Sequence, residues 1–145
     1  EIPKRDWSSD VCSSDLVVER SAADVERERI LAGLARFPVD LDGESLPAEA
    51  GWEHDRIDRT KGCFVGQETV AKVANAGHPT RIVRAVAVEG PASPGDAVVA
   101  DGVSVGVLTS VAVDGAGRSR AIVRVRWDAR SADLRTASGA AVSPA

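Results

Sequence analysis

The pattern of hydrophobic and polar positions divides the chain near residue 80 into a helical part and a strand-rich part. Apolar residues first recur at helical spacing after Ser21, which can cap a helix, and the pattern runs to about residue 36 before Pro38 stops it. The apolar residues on one side of this predicted helix are Ala23, Ile30, Leu31 and Leu34. We expect a short strand at residues 39–41 and then a turn at Asp42-Gly43.

A second amphipathic helix is predicted over residues 67–75, where Gly77 and Pro79 supply the stop signals. The residues on its predicted apolar face are Thr69, Val70, Val73 and Ala74. Residues 46–52, between the two helices, have neither helical nor strand periodicity, and they predict an irregular connection with one apolar anchor.

Beyond Pro79 the pattern changes to short strands separated by turns. Residues 81–89 are rich in Val and Ile, residues 91–96 and 114–117 have the composition of turns, and Asp101-Gly102 predicts a hairpin. Residues 120–127 alternate between two faces. The predicted dry face holds Ala121, Val123, Val125 and Trp127, and the predicted wet face holds Arg120, Ile122, Arg124 and Arg126. Short strands at this spacing are typical of a small antiparallel barrel or sandwich.

These elements predict an α+β fold, in which part of an α/β domain at residues 17–80 precedes a small antiparallel C-terminal β-barrel at residues 81–145. The boundary is expected near residues 79–84. Residues 1–16 are excluded from the fold, because residues 6–16 contain Ser-Ser-Asp twice and lack any periodicity. This stretch resembles a translated sequencing adapter, and we interpret it as an artefact. Cys63, rather than Cys12, is then the native thiol.

Composition narrows the classes of function. Hydrophobic residues make up 43% of the 145 residues and aromatic residues 3%, so the core must be built from Val, Ala, Leu and Ile. The net charge of −4 gives no bulk attraction to nucleic-acid phosphates. No apolar run approaches the roughly 18–20 residues that span a bilayer, and no secretory signal is present, which favours a cytoplasmic protein. Because the chain begins with Glu1 and contains no Met, we expect a fragment of a longer protein.

The residues best suited to chemistry lie at 61–68, in the run Lys-Gly-Cys-Phe-Val-Gly-Gln-Glu. Cys63 precedes the predicted second helix, whose first amides and dipole favour an anion. Lys61 adds positive charge, so both features favour the thiolate over the thiol. Gly62 and Gly66 allow tight turns on either side of the sulfur. This arrangement makes Cys63 a candidate reactive thiol.

Structural interpretations of the same region stay open. An isolated Cys is often a small buried apolar residue, Glu68 can simply pair with Lys72, and Gln67 can serve as a helix former. His78 would complete a Cys–His nucleophile only if its ring reached the sulfur. A local positive patch could attract a carboxylate or an RNA phosphate, or could be an ordinary solvated surface. Its cations are Arg56, Arg59, Lys61, Lys72, Arg81 and Arg84.

The run at 61–68 is similar to the signature Lys-Gly-Cys-aromatic-x-Gly-Gln-Glu of the YgfZ family, which belongs with the glycine-cleavage T protein and related folate-binding proteins. Residues 29–33 resemble the family's Arg-Ile-Glu-Ala-Gly helix, and residues 46–51 look like the segment before the signature. Residues 69–73 and 77–81 resemble its continuation, so the resemblance covers residues 19 to about 144. Phe64 stands where Tyr is commoner, which removes a hydroxyl group.

The resemblance implies a tetrahydrofolate-binding accessory protein for the assembly or repair of iron–sulfur proteins, with a link to transfer RNA modification through such an enzyme. It implies Lys61 and Cys63 as the functional pair, with Cys63 as a reactive thiol, a transient cluster ligand or a redox partner. The loop residues that would lie beside the folate are Gly62, Phe64, Gly66, Gln67 and Glu68. The implied partners are folate and iron–sulfur client proteins, with no resident metal and no membrane.

Two other functions stay open. A tetrahydrofolate-dependent aminomethyltransferase would move a one-carbon unit, although the T protein's corresponding run generally lacks this Cys and has Arg where Gln67 stands. An RNA-binding module would use the positive patch, although the chain has few aromatic side chains on which bases could stack.

Overall fold

A computed structural model describes residues 19–52, 56–58 and 60–145. The sequencing-adapter-like segment at 6–16, Cys12, His54 and Arg59 lie outside the described residues. Two helices precede the strands, α1 (Ala22–Leu31) and α2 (Gln67–Ala76), with a short 3-10 helix at Pro47–Ala50 between them. The strands are β1 (Arg81–Val88), β2 (Ala97–Ala100), β3 (Val103–Val113), β4 (Ser119–Arg126), β5 (Leu134–Thr136) and β6 (Ala141–Pro144).

The six strands close into an antiparallel barrel in the order β1-β4-β3-β2-β5-β6, with β6 paired back to β1. The predicted α+β class and its small C-terminal barrel are therefore confirmed. The barrel interior is filled by small aliphatic side chains, because aromatics are scarce in this chain. Its fully enclosed members include Val86, Val98, Leu108, Val123 and Val125. Closure leaves no free sheet edge along the barrel wall.

Residues within the turns themselves determine the conformation of several connections between the barrel strands. Asp101 and Gly102 join β2 to β3 with φ of 49° and 78°, as a two-residue primed hairpin requires. Residues 114–117 lie between β3 and β4, as predicted, and Asp114 Oδ1 accepts from the backbone N–H groups of Ala116 and Arg118. Gly106 lies where β3 and β4 approach closely, since a Cβ there would stand 2.5 Å from the carbonyl oxygen of Arg124. Any side chain at this position would force the two strands apart.

The outer face of β4 differs from the prediction at one position. Ala121, Val123 and Val125 are buried inside the barrel as expected, but Ile122, placed on the wet face, is also fully buried. It packs with Leu41 and Val83 in a second apolar cluster outside the barrel. The chain between α1 and α2 covers this part of the sheet, so both faces of β4 are dry at Ile122.

The first helix ends earlier than its pattern predicts. It begins as expected, with the Ser21 side chain accepting from the N–H of Asp24 in a capping box, but it stops at Leu31 instead of near residue 36. Ile30 is buried on its inner side, whereas Leu34, predicted on the same side, is 59% exposed. The helix ends here because Gly33 takes the left-handed conformation, with φ of 72°, and the N–H of Leu34 donates back to the carbonyl oxygen of Arg29.

The predicted strand at residues 39–41 is wrong, because this segment is a turn that buries a charge. Asp40 is 1% exposed, and its carboxylate accepts from the backbone N–H of Arg36 (2.9 Å) and from Nη1 of Arg29 (2.6 Å). The hydroxyls of Thr109 (2.5 Å) and Ser110 (2.6 Å) on β3 also donate to it. The segment forms a turn instead of a strand because a strand would leave the buried carboxylate of Asp40 with fewer hydrogen-bond donors.

These five residues, the Asp40 network, attach α1 and the following turn to the barrel. Arg29 also donates to Glu26 on its own helix and to the hydroxyl of Ser110. Burial alone would raise the pKa of Asp40, but the hydrogen bonds from Ser110 and Thr109, with the charge of Arg29, hold that pKa below its ordinary value. The carboxylate is therefore ionised in the folded protein at neutral pH.

Candidate functional site

The signature loop at residues 61–66 leads directly into α2, as the sequence predicts. The predicted helix at 67–75 is confirmed and runs one residue further, from Gln67 to Ala76, where Gly77 ends it in the left-handed conformation. Gly66 caps its start with φ of 86°, a conformation that L side chains rarely adopt. The first amides of α2 thus face the end of the loop that carries Cys63.

Cys63 is exposed and is not in a disulfide. The alternative of a small buried apolar Cys is therefore wrong for this chain. The sulfur lies three residues before the capping Gly66, on backbone that belongs to no helix or strand. The neighbouring Val65 is fully exposed as well, so the loop stands clear of the core. A reagent or partner can reach the thiol without any unfolding.

Lys61 places its charge over an aromatic ring while the residue stays exposed. The Nζ of Lys61 lies 4.5 Å from the ring centre of Phe64. This cation–π contact joins a residue that precedes Cys63 in the sequence to the residue that follows it. Asp58 stabilises the same stretch: its carboxylate accepts from the Thr60 hydroxyl (2.7 Å) and backbone N–H (2.8 Å). These bonds from Thr60, followed by those from Lys61, lower the pKa of Asp58. The contact between Lys61 and the Phe64 ring does not need the hydroxyl group of the Tyr that is commoner at this position.

The first turn of α2 is solvated. Glu68 pairs with Lys72 at 2.8 Å, and both side chains are mostly exposed, so the predicted i,i+4 pair is confirmed. Gln67 is also exposed. None of the ten residues of α2, all of which the structure describes, is buried. The helix is held by a thin contact with the 3-10 helix at Pro47–Ala50 rather than by a core.

An apolar cleft of about 250 Å³ opens between α2 and the 3-10 helix. Three residues on the predicted apolar face of α2, Val70, Val73 and Ala74, form one wall. The rest of the lining comes from Leu46, Pro47, Ala48, Ile57, Gly77, His78 and Pro79. The amphipathic face of α2 thus lines an open cleft, which can take up the flat apolar part of a small molecule.

His78 is engaged away from the thiol. Its ring stacks on Trp127 with centroids 4.8 Å apart and planes within 5°, and its Nδ1 is 2.9 Å from the carbonyl oxygen of Pro79. Arg130 lies over the same indole ring at 4.1 Å. Within the described residues, the stack gives His78 a structural role at the link between α2 and β1.

The predicted positive patch is largely engaged in local contacts. Lys72 pairs with Glu68, Lys61 lies on Phe64, and Arg56 lies 5.7 Å from the ring of Trp52. Arg81 is 3.5 Å from the carboxylate of Glu49, and Arg84 donates to the carbonyl oxygen of Arg130. A surface of this kind is a weak attractor for a nucleic-acid backbone.

Glu49 was not predicted as a candidate site residue, and Arg84 was predicted only as one cation of the positive patch. Glu49 is 3% exposed and its Oε2 has no hydrogen-bond partner, and the buried Nε of Arg84 also lacks one. The sequence gives little signal for Glu49, because it lies in a segment without periodicity, where a carboxylate is normally solvated. Arg84 looks like an ordinary outward side chain of β1.

The described part of the chain contains no group of three or more His, Cys, Asp or Glu residues arranged to hold a metal ion. None of its helices has both the length and the apolar character needed to cross a bilayer.

Comparison with known proteins gives partial relatives. Over 84 residues, 57% of this chain, it is 34% identical to a protein of Schizosaccharomyces pombe named "Probable aminomethyltransferase, mitochondrial". Over 78 residues, 52% of the chain, it is 36% identical to the "Iron-sulfur cluster assembly factor IBA57 homolog, mitochondrial" of Cryptococcus neoformans. These matches cover 22% and 20% of the two relatives, so the chain corresponds to about a fifth of each. No family model matches the chain.

The chain is thus a partial homologue of aminomethyltransferase-like and IBA57 proteins. This agrees with the wider superfamily that the signature at 61–68 indicates. The narrower YgfZ assignment, the domain boundary near residues 79–84 and the cytoplasmic location stay predictions.

Proposed function

We propose that this chain is the part of a YgfZ-type folate-binding protein that presents Cys63 for the assembly or repair of iron–sulfur proteins. The observation that carries the proposal is the exposed thiol on the loop that enters α2, with Lys61 two residues before it. The name of the Cryptococcus neoformans relative supports this function. A cytoplasmic location and an indirect link to transfer RNA modification are the finer parts of the proposal.

The loop geometry supports a role in which the sulfur of Cys63 contacts another molecule. Lys61 stands two residues before Cys63, and α2 begins at Gln67, four residues after it. The charge of Lys61 stays in place because its Nζ rests on the Phe64 ring. Cys63 can ligate iron transiently by displacing a client's thiolate from the iron and later being displaced by it, and its exposure lets a client protein approach.

Tetrahydrofolate is the proposed cofactor, and the apolar cleft beside α2 is its proposed contact surface. The cleft measures about 250 Å³, slightly below the range of about 300–1,000 Å³ for most ligand pockets. A cleft of this volume has room for one end of a folate molecule and not for the whole of it. Val70, Val73 and Leu46 would contact the ring system, and the loop residues Gly62, Phe64, Gly66, Gln67 and Glu68 would flank it. When bound, the folate supplies one-carbon or redox chemistry.

The test replaces Cys63 in the native gene. Cys63→Ala and Cys63→Ser variants are expressed in a deletion strain, and the activity of iron–sulfur enzymes is measured together with the protein level. We expect both variants to lose most of the rescue while accumulating normally, because the exposed side chain contributes little to folding. Val65→Ala, on the same exposed loop, is the matched control and should rescue fully. Full rescue by Cys63→Ala would end the proposed role of the thiol.

An aminomethyltransferase is the second candidate, favoured by the name of the Schizosaccharomyces pombe relative. It predicts that purified protein forms methylene-tetrahydrofolate from an aminomethyl donor and tetrahydrofolate, and that Cys63→Ala leaves this rate unchanged. The iron–sulfur role predicts no turnover in that assay, so the same preparation separates the two functions.

A further inference from the structure

The apolar cleft beside α2 is lined, among the described residues, by a single polar side chain. Its other lining residues are Leu, Pro, Ala, Ile, Val and Gly, and the exception is His78. His78 is exposed, so a molecule in the cleft can reach its ring. Because the other lining side chains offer no hydrogen bond, this one imidazole determines which apolar ligands the cleft prefers.

Two contacts hold the His78 ring in place before any ligand arrives. Its plane is set by the stack on Trp127, with ring centres 4.8 Å apart, and Arg130 holds the indole by lying over it at 4.1 Å. Rotation within that plane is limited by Nδ1, which is 2.9 Å from the carbonyl oxygen of Pro79. The imidazole is therefore preorganised, and a ligand does not have to order it.

The contact with Pro79 also assigns the proton of the neutral ring. A carbonyl oxygen can only accept, so Nδ1 carries the proton and donates it. Nε2 is then an acceptor, and no donor to it is present in the part of the chain that the structure describes. The nitrogen left for a ligand is Nε2, and it requires a donor.

We propose that His78 is a specificity-determining residue of this cleft, which selects flat aromatic molecules that carry a hydrogen-bond donor at the edge of the ring. The ring of the ligand would lie against Val70 and Val73, and its donor would bind Nε2 of His78. A volume of about 250 Å³ suits a ring system rather than a long chain. The inference rests on the function proposed above only in using the same cleft, and it involves neither Cys63 nor the loop at 61–66.

Titration with indole, followed by protein NMR, tests the preference for a donor. Indole has a ring N–H, and 1-methylindole has the same ring system without it. We expect saturable indole binding, and at least about threefold weaker binding of 1-methylindole, since one hydrogen bond from an exposed group contributes modestly. The proposal is overturned if indole shows no saturable binding up to about 10 mM, or if the two ligands bind equally.

A variant of His78 separates the hydrogen bond from the shape of the ligand. His78→Phe keeps a ring that can stack on Trp127 but has no acceptor, so it should bind the two ligands equally. His78→Leu replaces it if His78→Phe does not fold by circular dichroism. Asn75→Ala, on the solvent side of α2, is the matched control and should keep the full preference. A preference for indole that persists without the imidazole contradicts the role of Nε2.

Filling the cleft locates the binding. Val73→Phe enlarges a side chain on the wall that α2 provides, and it should weaken binding of both ligands at least about tenfold. Ala74→Leu fills the same space and serves if Val73→Phe does not fold. Native-like indole binding in the folded variant would place the ligand elsewhere and overturn the proposal. These titrations are independent of the Cys63 rescue experiment, so either proposal can fail while the other stands.

Discussion

The barrel and the segment that carries Cys63 are built in opposite ways. In the barrel, every strand has two neighbours, and side chains such as Leu108 and Val123 have no exposed surface. In α2 and the loop before it, the thiol, the ion pair and the Val65 side chain are open to solvent. The free energy of folding therefore resides mainly in the barrel and in the turn attached to it.

This difference in packing explains why the fold tolerates a reactive thiol on the loop before α2. An exposed thiol on a thinly packed loop can change its bonding partner at little cost to the fold. The same group among the barrel's aliphatic side chains would be inert and difficult to replace. Three substitutions or conditions sharpen this comparison, from the largest expected effect to the smallest.

Leu108→Ala should lower the free energy of unfolding by about 2–5 kcal/mol, because it opens a cavity in a fully enclosed core. Urea unfolding followed by circular dichroism measures the change. Val70→Ala in α2 is the matched control, and it should cost at most about 1 kcal/mol, since its side chain is only half-buried. Similar losses in the two variants would show that α2 is packed more tightly than its exposure indicates.

Acid should destabilise the protein through Asp40. Its pKa in the folded state lies below the ordinary value of 3.8, so its contribution is fully present above that pH. The contribution is lost as the pH falls through the lower pKa of the folded state. Unfolding free energies measured from pH 6 down to about 2.5 should fall less steeply in Asp40→Asn, which cannot titrate there. An unchanged slope in that variant would place the acid sensitivity at another carboxyl, such as Asp42, whose pKa is lowered to about 2.

Glu68→Gln should change stability least, by about 0.2–0.5 kcal/mol, because the pair with Lys72 is exposed. A double-mutant cycle with Lys72→Gln isolates the pair, and its coupling should shrink further in high salt. A coupling above about 1 kcal/mol would mean that the pair is shielded from solvent by a contact not present in this chain alone.

Features set by local rules could be predicted from the sequence. The start of α1 at Ser21, the extent of α2 up to Gly77 and the hairpin at Asp101-Gly102 depend on caps and turns encoded within a few residues. Alternation likewise identified Ala121 and Val123 as interior positions. The placement of Cys63 just before a helix belongs to the same class.

Features set by distant contacts could not be predicted. The residues around Asp40 read as a strand, but the carboxylate is drawn into a turn by hydroxyls about seventy positions further along the chain. Ile122 sits among arginines in the sequence, yet Leu41 covers it in the fold. Oε2 of Glu49 and Nε of Arg84 are buried without hydrogen-bond partners only because neighbouring residues in the fold exclude solvent from them.

The irregularity in β3 also constrains how the gene can vary in length. The pairing of β3 with β4 shifts between Leu108 and Ser110, so Thr109 is an extra residue in the ladder. This is why two successive hydroxyls reach the same carboxylate, although neighbouring side chains of a regular strand point to opposite faces. Deleting the codon of Thr109 would make this pairing regular, because Ser110 and the later residues of β3 would keep their present partners and faces. The same deletion would remove one of the two hydroxyl groups that donate to Asp40.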